Sequence, residues 1–144
     1  LRGTDFEIFK QLNDAPLGMT GHLKFNAIDA AAPSTLSKPL IDGVVRQFIG
    51  FDGVLMSDDI SMQALQGDVA QLSAKALNAG CDLILHCNGR ADEMQAIHDV
   101  MPERPTAAMQ QRLHRAEAQL AELTCTLDPN AREVWGELMD GFLP

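Results

Sequence analysis

Two adjacent aspartates, Asp58 and Asp59, directly follow the apolar run Gly53-Val54-Leu55-Met56-Ser57. A continuous apolar run of that length suits a strand covered on both faces, and parallel α/β folds carry reacting groups on the rim where such strands end. A carboxylate delivered there can act as nucleophile or general base. Neighbouring strand residues point to opposite sides, so both acids cannot face one bond while the strand continues. Asp58, the first acid after the run, is the catalytic candidate, and Asp59 is expected to cap the turn around Ile60 to Leu65. On residue chemistry alone, the alternative that both acids merely cap the turn stands equally.

The remaining reactive side chains are scattered. His22 ends a short strand read within residues 18–25, while His86 and Asn88 end a third strand read over residues 81–87. His98 and His114 fall in helical segments and read as surface residues. Asp52 and Asp82 precede strands, at the end away from the rim, and read as turn or cap acids. Cys81 and Cys87 would lie at the two ends of one strand, up to about 20 Å apart, too far to pair. With Cys125 they make an odd set without a C-x-x-C, so neither a zinc site nor a disulfide scaffold is favoured. No metal or cofactor is expected, and reduced thiols fit a cytoplasmic protein.

The elements that would hold these groups alternate. Thr4 and Glu7 read as a capping box ahead of a short helix carrying Phe6, Ile8, Phe9 and Leu12. Ser37 can cap a second helix with Pro39 in its first turn, an apolar stripe from Leu40 to Ile49, and Gly50 as its stop. Asp68 opens a third helix through Val69, Leu72, Ala76 and Leu77, which Gly80 ends. A fourth carries Met94, Ile97 and Met101. Met56 and Met62 read as packing residues. Three strands alternating with helices predict βα units and a parallel sheet with right-handed crossovers. Beyond Pro105, Met109, Leu113, Ala116, Leu120 and Leu123 form a narrow seam on an added helix, either packed on the outer layer or turned to a partner. Pro129, Trp135, Leu138, Met139 and Phe142 suggest one more short helix.

The chain has 144 residues, 46% hydrophobic and 22% charged, with 11 Gly and 7 Pro, which excludes disorder and fibre. No run approaches the length of a membrane span. A formal charge of −9 with scattered basic residues argues against nucleic acid. Three strands are few for a βα domain, so the chain reads as the terminal portion of something larger.

The stretch Gly50-Phe51-Asp52-Gly53-Val54-Leu55-Met56-Ser57-Asp58-Asp59-Ile60-Ser61-Met62 resembles the nucleophile segment of family 3 glycoside hydrolases, in particular the bacterial β-N-acetylglucosaminidases (β-hexosaminidases) of peptidoglycan recycling. Upstream, Met19-Thr20-Gly21-His22 is similar to that family's Met-x-Ala-His strand end, with Gly21 where Ala is usual. Downstream, Asn78-Ala79-Gly80-Cys81-Asp82-Leu83-Ile84-Leu85 is similar to its Ala-Gly-Cys-Asp strand start. The resemblance covers roughly residues 1 to 102 and implies a partial (β/α)8 TIM barrel, an α/β fold in which these are strands six to eight. Residues 103–144 would then be a C-terminal helical extension.

The resemblance also implies a role for Asp58: attack on the anomeric carbon of a terminal N-acetylglucosamine in muropeptides, with retention of configuration. It places His22 beside the sugar pocket, orienting Asp58 or a sugar hydroxyl, and Met19 on the pocket floor. The family's proton donor is a His on a Lys-His-Phe-Pro-Gly-His-Gly type loop, assisted by an Asp, and no such run exists here. The chain alone is therefore expected to be inactive, and exposed barrel edges suggest self-association or pairing with the missing N-terminal part. Other readings are a non-catalytic binding or assembly remnant, a hexosaminidase in which the substrate's own acetamido group attacks, and a phosphoacceptor receiver. The receiver reading fails on the order of its acids: the pair lies on the second strand, not the first.

Overall fold

The computed structural model describes residues 3–122 and residue 130. The fold is α/β. Strand β1 (Leu17–Met19) pairs in parallel with β2 (Val54–Met56), Leu17 opposite Val54 and Met19 opposite Met56. Bonds from Val54 N–H to the Pro16 carbonyl and from Thr20 N–H to the Met56 carbonyl extend the ladder at both ends.

The expected third strand is reduced to a single parallel bridge, Met56 to Leu83. Side chains intercept the ladder there. The Asp82 carboxylate takes the Leu55 N–H at 3.0 Å, and the Ser57 hydroxyl takes the Leu85 N–H at 3.0 Å, each standing where a backbone carbonyl would. Ser57 N–H still reaches the Leu83 carbonyl and Ile60 N–H the Leu85 carbonyl, so the segment runs beside β2 without a regular ladder.

Local chemistry sets the helices. Helix α1 (Lys38–Leu40) begins where the Ser37 hydroxyl accepts the Leu40 N–H, with Pro39 in its first turn, and runs directly into a π-helical stretch, Ile41–Ile49. Gly50, at φ +78°, ends it in the left-handed conformation glycine tolerates. Asp68 caps α2 (Val69–Ala79) by accepting the Gln71 N–H. At Gly80, φ is +121° and a side chain would press within 2.9 Å of Ile41, so only glycine lets α2 stop there. Helices α3 (Ala91–Asp99) and α4 (Ala107–Glu122) follow. The apolar faces of α2, α3 and the π-helical stretch, with β2, enclose a core of Ile41, Phe51, Leu55, Ile60, Leu65, Leu72, Ala76, Cys81 and Ile97. Burial pushes the Cys81 thiol up to about 12, whereas Cys87 is exposed.

Three expectations change. The first segment is a 3-10 turn, Ile8–Leu12, with no side-chain cap; the Thr4 hydroxyl bonds Asp5 instead of closing a capping box. Of its apolar residues Phe6 is buried, while Ile8, Phe9 and Leu12 are exposed. Met62 is exposed, not packed. On α4 the seam buries Ala116, half-buries Met109 and Leu113, and leaves Leu120 exposed. Leu123, Cys125 and the tail helix read from Pro129 to Phe142 lie outside the described residues. Among the described residues no helix is long and apolar enough to cross a membrane.

Candidate active site

The run that forms β2 ends at Met56, and the next residues carry the candidate carboxylates to the C-terminal rim. Ser57 is fully buried, and Asp58 and Asp59 are half-buried. Asp58 Oδ1 accepts the N–H of Asp59 at 2.8 Å, and the Asp58 N–H points to the Thr20 hydroxyl at 3.4 Å. No other hydrogen bond to Asp58 occurs within the described residues, so its second oxygen is uncommitted. Such a carboxylate is held in place yet keeps a lone pair for an electrophile.

Asp59 is occupied. Its Oδ1 accepts the Ser61 N–H at 3.0 Å, the Ser61 hydroxyl at 2.8 Å and the Cys87 N–H at 3.1 Å, and Oδ2 is also within reach of that hydroxyl. Burial raises the Asp59 pKa, but the Ser61 and Cys87 donors, with His86 nearby, outweigh it and hold the carboxyl below its ordinary range. Asp59 therefore caps the turn as its position suggests. It also ties the end of β2 to the end of the bridged segment, which spacing along the chain does not reveal.

His22 touches this loop from the other side. Its Nε2 lies 2.9 Å from the Asp59 carbonyl, which can only accept, so Nε2 carries the proton. In the neutral ring Nδ1 then accepts from the Thr35 hydroxyl at 2.8 Å, and the Thr20 hydroxyl, 2.8 Å from Thr35, donates in turn. Thr35 is fully buried, and its one hydroxyl proton is shared between His22 Nδ1 and the Gly21 carbonyl at 3.0 Å. Both nitrogens of His22 are thus engaged by protein, and any part it plays runs through the Asp58–Asp59 loop. Gly21 has open space where a side chain would stand, so Ala would fit there too. Met19, at the end of β1, is 53% exposed beside the rim.

His86 and Asn88 gather on Glu93 instead of on Asp58. His86 Nε2 donates at 2.9 Å and Asn88 Nδ2 at 2.7 Å, and these two bonds hold the Glu93 carboxyl below its usual range. Among the described residues His86 Nδ1 is buried without a partner. Sequence reasoning missed Thr20 and Thr35 as members of the site. Thr20 stands inside the Met19-to-His22 motif, but nothing local marks Thr35, which reaches the site by folding back across a loop. Among the described residues no cluster of His, Cys, Asp and Glu could hold a metal ion.

Residues 1–121 match the sequence profile described as glycosyl hydrolase family 3 N terminal domain. The chain is 40% identical over 102 residues to a β-hexosaminidase of Methylobacillus flagellatus, covering 67% of this chain and 29% of that protein. It is 37% identical over 117 residues to one of Mannheimia succiniciproducens, covering 76% and 33%. Among solved structures, a family 3 β-N-acetylglucosaminidase of a Paenibacillus species superposes with a TM-score of 0.69 at 28% identity, over 78% of this chain and 24% of that one. The chain thus spans about a third of the length of these curated relatives.

Proposed function

The chain belongs to glycosyl hydrolase family 3, and on that premise we propose that it is a segment of a retaining hexosaminidase whose nucleophile is Asp58. The observation that carries this is the contrast at the rim: of two adjacent acids, Asp59 accepts three protein donors, whereas Asp58 accepts one and keeps a free oxygen. The free oxygen attacks the anomeric carbon of a terminal β-N-acetylglucosamine, forming a glycosyl ester as the bond to the leaving oxygen breaks. A proton donor protonates that oxygen, then takes a proton from the water that hydrolyses the ester, and configuration is retained. The named activity of the relatives supports the sugar; muropeptides of peptidoglycan recycling are the substrate the motif resemblance favours.

Asp59 is a poor proton donor, because the Ser61 and Cys87 donors hold its carboxyl ionised below the ordinary carboxylate range. No other acid–base group stands at Asp58 among the described residues, and positioned acid–base help is typically worth about 10² to 10⁴ in rate. The donor therefore comes from elsewhere, and the resemblance names a His on a mobile loop. Residues 1–102 then supply strands six to eight of a (β/α)8 barrel. Within the C-terminal extension of residues 103–144, helix α4 docks through Arg112 on Asp82 and Arg115 on Asp52. Among the described residues β1 pairs along one edge only, and the exposed Leu17, Met19 and Leu23 on and just after it support pairing with further barrel strands or self-association. Reduced cysteines favour a cytoplasmic setting. Met19 lines the pocket floor, and His22 positions Asp58.

A chromogenic β-N-acetylglucosaminide tests this dependence. The purified chain is expected to release little or no chromophore. Turnover should appear on mixing it with a polypeptide covering the other two-thirds of a relative, and should vanish again with Asp58→Asn. Full turnover by the chain alone, or activity surviving that substitution, would overturn the proposal.

A further inference from the structure

Between the loop that follows β1 and helix α2 runs a groove of about 660 Å³, separate from the residues that hold Asp58. We propose that this groove binds a small organic dianion, two carboxylates on a short hydrocarbon body, of the size of an acidic dipeptide. The proposal does not depend on Asp58 being a nucleophile.

Charge is the first reason. The chain carries four lysines and a formal charge of −9, yet Lys24, Lys38 and Lys75 all line this one groove, and no Asp or Glu does. Most of the other cations among the described residues stand in ion pairs. Lys10 pairs with Glu7, Arg46 and Arg112 with Asp82, Arg90 with Asp92, and Arg115 with Asp52. Lys38 is tied to Asp42 at 2.8 Å, but among the described residues Lys24 and Lys75 have no carboxylate at ion-pair distance. Asp29 acts on Lys24 only through space, its own oxygens being taken by Ser37, Ala31 and Ala32. Three ammonium groups gathered on one concave surface, only Lys38 among them held in an ion pair, make a local positive potential on an otherwise acidic molecule.

Shape and polarity are the second reason. The floor is apolar, with Leu65 and Leu72 buried and Leu36 half-buried, and Asn78 offers amide hydrogen bonds from α2. A bare inorganic anion would meet the lysines but leave this floor wet. A dicarboxylate with an aliphatic backbone covers the floor and reaches the ammonium groups at once, and the volume lies in the range usual for small-molecule sites. All three lysines are exposed, so their stems can swing onto a ligand while their heads stay in water.

The test titrates the whole chain, watched by backbone amide NMR, with N-acetyl-Ala-Glu, its neutral amide-capped Ala-Gln analogue, and inorganic phosphate. The diacid is expected to bind saturably and to shift the amides of Ala31, Leu36, Leu72 and Asn78. Its affinity should fall about tenfold in the Lys24→Ala/Lys75→Ala chain, the size expected for two solvent-screened charge contacts. Added salt should weaken it, and the neutral analogue should bind at least about tenfold more weakly. Both lysines project from the surface, so unchanged shifts away from the groove will show that the doubly substituted chain keeps its fold. The proposal is overturned by equal binding of diacid and neutral analogue, by equal affinity in the two chains, by no saturable shift, or by shifts centred elsewhere. Phosphate matching the diacid at the same amides would overturn the dicarboxylate assignment.

Discussion

Asp58 and Asp82 are both aspartates beside apolar segments of the sheet, and the structure treats them oppositely. Asp82, 5% exposed, accepts from Arg46 at 3.0 Å, from Arg112 through both Nε and Nη2, and from the Leu55 N–H at 3.0 Å. Arg46 also holds the Phe51 and Gly53 carbonyls, and Arg112 arrives from α4, so this one carboxylate fastens the strand starts to two helical segments. Among the described residues Asp58 accepts a single hydrogen bond, from its own neighbour. A carboxylate whose lone pairs are all spoken for is a fastener, and one with a lone pair left over at an open rim is available for chemistry. Counting donors separates the two roles where residue type does not.

The contrast can be broken most severely at Asp82. Replacing it by Ala strands two partly buried guanidinium groups. Breaking a buried pair typically costs about 3–5 kcal/mol, so the urea midpoint of Asp82→Ala should fall steeply. A midpoint near wild type would show that the ion cluster holds nothing. Next comes Thr35→Val, which removes the hydroxyl between His22 and Thr20 and leaves buried polar groups unsatisfied, at a cost of about 1–3 kcal/mol. Thr35→Ser should recover most of it; equal losses in the two variants would point to packing instead of hydrogen bonding.

A smaller effect belongs to Asp59. Its folded pKa is depressed, so its contribution to stability is present above the ordinary carboxylate pKa and is lost as pH falls through the lower folded value. Between pH 5 and pH 3 (a window set around the ordinary value of about 3.9) wild type should lose more stability than Asp59→Asn. Parallel pH curves for the two chains would remove the clamp from the account. Smallest of all is Asp58→Asn, expected to change stability by no more than about 0.5 kcal/mol, as is usual for a side chain with no buried partner. A large loss there would make Asp58 another fastener.

Much of the scaffold was legible because its signals are local. Ser37 and Asp68 cap helices within three residues of themselves, Gly50 and Gly80 stop them, and the apolar run before Asp58 forms a strand. What escaped depends on residues distant in sequence. The third strand fails as a regular ladder because Asp82 and Ser57 side chains replace backbone partners, and no alternation pattern records that. Asp82, read as a cap acid, meets Arg112 across 30 residues, and His22 meets Asp59 across 37. The apolar stripe from Ile8 to Leu12 carries the pattern of a buried helix but lies open, since an apolar pattern does not say what covers it.

The proposed mechanism requires the free oxygen of Asp58 to bond covalently to sugar. The most direct measurement is incubation of the chain with a 2-deoxy-2-fluoro-β-glucosyl fluoride, followed by peptide mass mapping. Fluoride leaves without a proton donor, and the 2-fluoro group slows release of the ester, so the nucleophile can be trapped even when acid–base help is missing. The expected result is one glycosyl adduct on the peptide containing Asp58, absent from Asp58→Asn. An adduct on a different carboxylate, or none after prolonged exposure, would contradict the account.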